Sequence, residues 1–430
     1  MRLQRRLRPG EATVTVIDVR SYMTYQPFLP EAAAGNLEPR HVVVPLRRVL
    51  DRCTVLKGLI TGIDTSRHSI TVQVRTGEQV EVPYDQLVMA PGSVPRTLPI
   101  PGLAEHGIGF KRVEEAIFLR NHVIDQIDSA ASTRDPQLRA RALKFVFVGG
   151  GYAGVEALAE LEDMARYATR YYSAITAADL HWYLVEATGR ILPEVGEEMG
   201  RYTVTELRRR GIDVRLDTRL ESAENGHIRL SDGTEFDSNT LVWTAGVKPN
   251  PLVGLSGLPV DDRGRLKATA ELRVEGVPGH WTAGDCAAVP DLTKGPGEFC
   301  GPSAQHAVRQ AKVLADNIVA DLRGEPLTTY QHRYAGSVAG LGLHKGVAHV
   351  YGVKLRGWPA WLMHRIYHLS RVPTLNRKAR VMTDWTTALF FRREVASLGS
   401  LQDPRREFLS YAVRPEPRPA MSGSGEGQGQ

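Results

Sequence analysis

Residues 143–156 read LKFVFVGGGYAGVE, and this stretch decides the fold. The apolar run LKFVFV (143–148) predicts a buried strand, and the stretch from Val155 to about Tyr172 predicts a long helix. Between them Gly149, Gly151 and Gly154 satisfy G-x-G-x-x-G. In that pattern the first glycine permits the tight turn and the second lets the backbone approach a pyrophosphate. The third lets helix and strand pack closely. The helix N-terminus then offers free N–H groups to phosphates. A lone glycine loop is also compatible with a simple turn. Here, however, the next strand, HWYLVE (181–186), closes on an acid. Glu186 is placed to accept hydrogen bonds from an adenosine ribose and to repel a 2′-phosphate, which favours NADH over NADPH. Its other reading is a solvated acid at a strand end.

A second strand–acid unit lies upstream. TVTVID (13–18) ends on Asp18, which reads as the ribose ligand of a second dinucleotide. The glycine loop of such a unit belongs roughly 20–30 residues earlier, and none precedes TVTVID here. LQRRLRPGEA (3–12) reads as the last turns of a helix closed by Pro9-Gly10, so Met1 is expected to fall inside an element. Residues 53–89 read as short strands, 112–129 as a helix, and 212–216, 227–230 and 240–244 as further strands. HWTAGD (280–285) and a helix from about Ala304 to Leu322 complete the alternation. Alternating strands and helices imply a parallel sheet covered on both faces. The expected fold is therefore α/β, with two Rossmann-like dinucleotide-binding domains, the FAD domain discontinuous, followed by a C-terminal amphipathic helical segment. The expected boundaries are 1–110 and 249–345 for the FAD domain, 111–248 for the NADH domain, 346–412 for the C-terminal segment and 413–430 for a disordered tail.

Three further places could carry chemistry. Glu156 stands two residues after Gly154 in the first turn of its helix. It is either a carboxylate stabilised by the helix dipole or a proton relay at a nicotinamide–flavin junction. Gly284-Asp285 closes a strand, where the carboxylate could face ribitol hydroxyls or act as a helix N-cap. Ala304-Gln305 opens the next helix, and Gln305 could donate to a substrate carbonyl or be a polar first-turn residue.

Composition narrows the class. With 430 residues, 42% hydrophobic and 24% charged, the chain can form two or three cored domains. Its three cysteines, Cys53, Cys286 and Cys300, show no CxxC spacing, so no zinc site, iron–sulfur cluster or disulfide framework is expected, and no metal. No apolar run reaches the roughly 18 residues a spanning helix needs. Between Gly352 and Phe408 there are eleven Lys/Arg against four Asp/Glu, more than the whole net charge of +6. The basic character therefore belongs to one C-terminal segment and points to an anionic partner surface rather than to nucleic acid.

Taken in order, these pieces resemble the two-dinucleotide-binding-domain flavoproteins, and within them the type II NADH dehydrogenases. The resemblance covers roughly residues 12–400. It rests on VTVIDVRSYMTYQPFLPEAAAG (14–35), LVMAPGSVPRTLPIPG (87–102), FVFVGGGYAGVE (145–156), LVWTAGVKPNPL (241–252), WTAGDCAAVPD (281–291) and PSAQHA (302–307). It implies FAD and NADH as cofactors and a membrane quinone as acceptor. Asp18 then resembles the flavin adenosine-ribose ligand, while Gly284-Asp285 resembles the pair facing the ribityl chain. Gly149, Gly151, Gly154 and Glu186 resemble the NADH site. Glu156 is similar to a carboxylate that couples flavin and quinone protonation, and Ala304-Gln305 to a quinone-site pair. The implied reaction is hydride transfer from NADH to FAD, then two electrons and two protons to the quinone, without proton pumping. One departure stands: the first glycine loop of that family has no counterpart, as in an N-terminally truncated member.

RGWPAWLMHRIYHLSR (356–371) places Trp358, Trp361, Leu362, Ile366 and Leu369 on one helical face, with Arg365, His368 and Arg371 at its border and polar side. Trp385, Leu389, Phe390 and Phe391 before Arg392-Arg393 repeat the theme. Such a helix fits an in-plane anchor on an anionic lipid surface, or a helix covering the core, or a homodimer contact. With the anchor, the expected place is peripheral, on the cytoplasmic face of the cell membrane. Two other functions stay open: a related flavoprotein reductase with another acceptor, and a flavin-less pseudoenzyme.

Overall fold

The computed structural model describes residues 1–332, 336–391, 393–399, 403 and 405–410. Its organising element is a five-stranded, all-parallel sheet in the order Gly107–Gly109, Thr240–Trp243, Lys144–Val148, His181–Val185, Ile212–Arg215. The strand before the glycine loop is central because both its faces are buried: Phe145, Val146 and Phe147 are wholly inaccessible. Helices cover it as the crossover rule for parallel strands requires. Val113–Ser132 runs for 20 residues, Tyr152–Ala168 starts at the glycine loop, and Glu197–Arg209 precedes the last strand. The last of these is a helix that the sequence reading did not include.

The flanking unit is assembled from distant segments. Thr15–Asp18 pairs in parallel with Thr54–Lys57, and Leu87–Met89 pairs in parallel with His280–Thr282. Two antiparallel crossing strands, Ser93–Pro95 and Val247–Pro249, run side by side as the chain passes between the units. The N-terminal helix Arg2–Arg6 docks on the Ala304–Leu322 helix through Arg2, whose guanidinium reaches Asp316 at 2.6 and 2.9 Å.

Two features at the C-terminal end differ from expectation. A three-stranded antiparallel meander, Gly336–Gly340, Gly346–Val350 and Val353–Arg356, precedes the helices. The helix Trp358–Arg371 also turns inward two residues read otherwise, Trp361 from the apolar face and Arg365 from the polar border. Trp361, His364 and Arg365 are buried, whereas Trp358, Leu362 and Ile366 face outward. Arg365 can lie inside because Glu31 Oε2 is 2.9 Å away and both side chains are less than a tenth exposed. Trp385 donates to the same oxygen at 2.7 Å, and the guanidinium stacks between Trp361 and Trp385. A paired charge flanked by indoles outcompetes the amphipathic register. Among the described residues no helix is long and apolar enough to cross a membrane. The tail assigned to 413–430 lies outside the described residues.

Candidate active site

The glycine loop has the geometry its spacing implies. Gly149 adopts φ +116°, and a Cβ there would lie 2.7 Å from the Thr244 backbone. At Gly154 a Cβ would come within 2.0 Å of the Gly149 carbonyl oxygen, so only glycine lets the helix start so close to the strand. Nothing lies within 4 Å of a Cβ built on Gly151. That open side faces outward from the N-terminus of the Tyr152–Ala168 helix, whose N-cap makes no side-chain bond. Free N–H groups beside an open cradle fit a pyrophosphate.

Glu186 braces this loop. Its Oε2 accepts from the Gly150 N–H at 2.6 Å, while Oε1 accepts from the Thr188 backbone N–H at 2.8 Å and its hydroxyl at 2.9 Å. Beside it opens a cavity of about 390 Å³ lined by Thr188, Arg190, Ile191, Val204 and Leu216, among others. Its position beside Glu186 and its mixed lining of aliphatic and charged side chains, Arg201 and Glu197 among them, suit the adenosine end of a dinucleotide.

Asp285 is half-buried after Gly284, which adopts φ +81°. The Gly284 N–H donates to Gln310 Oε1 at 2.8 Å. Ser93 donates to the Asp285 carboxylate at 2.6 Å and accepts from Lys111 Nζ at 2.6 Å. Burial holds the Lys111 ammonium below its ordinary pKa, against the pull of Asp285 and Glu115. Gln26 closes the chain by donating to the Lys111 carbonyl at 3.1 Å. This row of donors and one carboxylate fits a ribityl-phosphate chain. Asp18, by contrast, is exposed at the end of its strand, where its carboxylate accepts from the nearby Arg20 N–H at 2.7 Å.

Glu156 and Gln305, far apart in sequence, meet opposite ends of one strand. Glu156 Oε1 accepts from the Gly340 N–H at 2.8 Å, and Gln305 Nε2 donates to the Gly336 carbonyl at 2.8 Å. Among the described residues the Oε1 of Gln305 is buried with no hydrogen-bond partner. An orphaned acceptor beside the Asp285 row is what a ring N–H of a bound flavin or a protonated acceptor would satisfy. Ala304, exposed, begins the same helix behind its Ser303 cap.

Sequence reasoning missed three groups. His364 Nε2 lies 3.1 Å from Glu156 Oε1, although the N–H is not aligned for a hydrogen bond. Burial opposes the charged imidazole, yet the carboxylates of Glu156, Glu31 and Glu160 together raise its pKa. His368 stands 4.5 Å away ring to ring, and its Nδ1 is 3.0 Å from the Tyr25 hydroxyl. Burial, and then His364, drive His368 well below its ordinary value. Glu160, one turn beyond Glu156, is a buried acid accepting from Asn36 at 2.9 Å. Burial and then Glu31 push it up to about 7. The available signal was the 361–364–365–368 spacing, which marks one helical face.

Comparison with known proteins gives the same frame. A probable NADH dehydrogenase of Dictyostelium discoideum is 28% identical over 395 residues, covering 89% of this chain and 86% of the relative. A type II NADH:quinone oxidoreductase of Mycobacterium tuberculosis is 27% identical over 407 residues, covering 90% and 85%. The fold is similar to that of NDH2 from Plasmodium falciparum in complex with NADH, with a TM-score of 0.84 at 18% identity over 92% of this chain and 97% of that one. A sulfide:quinone oxidoreductase from Aquifex aeolicus superposes less closely, with a TM-score of 0.68 at 16% identity over 91% and 92%. The family model for pyridine nucleotide-disulphide oxidoreductases matches residues 1–311, and the chain belongs to that family.

Proposed function

We infer that the protein is an FAD-dependent, non-proton-pumping NADH:quinone oxidoreductase. The observation that carries this reading is the meeting of Glu156, from the nucleotide helix, with His364, from the C-terminal helix, beside a strand that also holds Gln305. The overall reaction converts NADH, one proton and quinone to NAD⁺ and quinol. Hydride brings two electrons and one proton's worth of hydrogen, so the second proton must come from solvent. A buried carboxylate–imidazole pair is suited to carry it.

When bound, FAD supplies the hydride acceptor and the two-electron donor to the quinone. Gly149, Gly151 and Gly154 hold the NADH pyrophosphate, and Glu186 orients its ribose. Asp18 holds the flavin adenosine ribose, and Asp285 with Ser93 and Lys111 holds the ribityl-phosphate chain. Ala304 and Gln305 line the quinone side, and Glu156 Oε1 holds the proton passed through His364. This assignment supports dividing the chain into a discontinuous FAD domain, 1–110 and 249–345, around an NADH domain, 111–248.

The outward face of the C-terminal helices supports attachment to an anionic lipid surface on the cytoplasmic side. Trp358, Ile366, Leu375, Leu389, Phe390 and Phe391 are all more than half exposed, within a segment of strong positive charge. Aromatic residues beside cations suit the headgroup boundary, where a lipid-dissolved quinone is met. The reading is tested by following NADH oxidation by the purified protein with a short-chain quinone. Quinone-dependent turnover supports it; turnover that ignores quinone and follows a disulfide acceptor favours a disulfide reductase.

A further inference from the structure

A second cluster lies outside this chemistry. The loop after Asp285 folds back on itself: the Asp291 N–H donates to the Glu298 carbonyl at 2.8 Å, and the Cys300 N–H to the Val289 carbonyl at 2.9 Å. The fold thereby sets Asp291 beside Cys300, and the helix beginning at Ala304 brings His306 against both. One ligating atom from each of Asp291, Cys300 and His306 lies within 4.8 Å of the others. Cysteine spacing could not reveal this, because only one of the three residues is a cysteine.

We propose that Asp291, Cys300 and His306 form a binding site for a zinc-like divalent cation, with the fourth position left to water or to His332 after a shift of its side chain. Thiolate, imidazole and carboxylate are the zinc donor types, and thiolate plus carboxylate neutralise a doubly charged ion. Donor atoms around tetrahedral zinc lie roughly 3.5 Å apart, so the cluster needs only about an ångström of closure. Its outer contacts are in place. The Tyr330 hydroxyl is 2.9 Å from His306 Nδ1, which leaves Nε2 to ligate. Thr293 donates to the Asp291 carboxylate at 2.6 Å. Cys300 is buried, and its Sγ lies 3.8 Å from the Pro290 carbonyl and interacts with the Gln310 side chain.

A neighbouring group points the same way: among the described residues His332 Nε2 is buried without a hydrogen-bond partner, on a ring 6.0 Å from that of His306, although it lies outside the 4.8 Å group. A metal would satisfy it. The competing occupant is Lys294, whose Nζ is 3.3 Å from Asp291. That side chain is 60% exposed and can swing into solvent when a cation enters. A bound ion would pin the 291–300 loop to the first turn of the helix that presents Gln305.

The test is metal analysis of the purified full-length protein after chelation and reloading with Zn²⁺, and separately with Co²⁺. One equivalent of zinc, and a thiolate-to-cobalt charge-transfer band in the difference spectrum, are expected. Cys286→Ser should keep the band. Cys300→Ser should lose it, and Tyr330→Phe should weaken zinc binding about tenfold. Retention of the band in Cys300→Ser, or no band in the parent protein, overturns the proposal. Because Cys300→Ser could fail to fold, each variant is also checked by circular dichroism. Asp291→Asn serves as the second variant and is expected to bind zinc at least tenfold more weakly; unchanged binding there also overturns it.

Discussion

His364 Nε2 stands 3.1 Å from Glu156 Oε1, which joins a helix near the C-terminal end to the first turn of the nucleotide-binding helix. The contact makes the C-terminal segment part of the reaction site. Replacing Glu156 with Gln, or His364 with Gln, should therefore slow quinone reduction by about 10²–10⁴-fold, the usual contribution of a positioned proton carrier. Reduction by NADH alone should change much less. Rapid-mixing measurements of the two half-reactions check this, and equal losses in both would remove the pair from proton transfer.

The same pair sets a pH dependence. The folded pKa of His364 is raised, so its charged form contributes stability that is complete below the unfolded value of about 6.5. That contribution is lost as pH rises through the higher folded value. Glu160 works in the same direction. Its carboxyl is raised to about 7, so the folded state holds a proton that the unfolded chain has released. Stability then falls as pH climbs from the ordinary value of 4.5 towards 7, and the cost persists above it. Glu160→Gln should flatten this slope and leave the protein more stable at alkaline pH, by up to roughly 3 kcal/mol. Urea denaturation at pH 5.5 and 8.5 measures it; an unchanged slope would show that Glu160 stays ionised.

Glu31 and Arg365 form a buried ion pair that clamps the C-terminal helices to the segment Leu29–Ala33. Arg365→Ala strands the Glu31 carboxylate and should cost about 3–5 kcal/mol. Glu31→Gln with Arg365→Met removes both charges and should recover much of that loss. A double mutant as unstable as Arg365→Ala would show that packing of the guanidinium between the indoles, not charge pairing, dominates.

Much of this was legible in the sequence, for physical reasons. Gly149 and Gly154 were readable because local sterics admit no other residue at such close backbone approaches, and Gly151 because its place in the pattern is where a pyrophosphate comes closest. Central strands were readable from continuous apolar runs. The outward and inward faces of Trp358–Arg371 were not, because the helix pattern is overridden by Glu31, a partner more than 300 residues away that lets Arg365 turn inside. The pairing of Glu156 with His364 was hidden in the same way: it is a tertiary contact with no local spacing. Asp18 and Glu186 were read by one rule, yet their surroundings differ. Glu186 is tied into its glycine loop, while Asp18 is exposed.

The donor preference rests on Glu186. Because it braces Gly150, Glu186→Gln should weaken NADH binding and reduce the discrimination against NADPH, a change visible in the ratio of kcat/KM values for the two donors. An unaltered ratio would take Glu186 out of ribose recognition. Arg190 and Arg201 line the adjoining cavity, so a concurrent gain with NADPH is the expected direction.

Attachment to lipid rests on the exposed face of the C-terminal helices. Trp358→Ser combined with Ile366→Ser should lower binding to vesicles containing anionic phospholipid at least tenfold, while binding to neutral vesicles is weak for both proteins. Unchanged flotation with the anionic vesicles would contradict the anchor. A concentration-dependent change in mass would assign that face to a second copy of the chain.

The most direct measurement of the central claim is the visible absorption spectrum of the purified protein, taken without oxygen, before and after NADH and then quinone. The account predicts flavin bands near equimolar with protein, bleached by NADH and restored by quinone. A colourless protein, or flavin bands that NADH bleaches but quinone cannot restore, would contradict it.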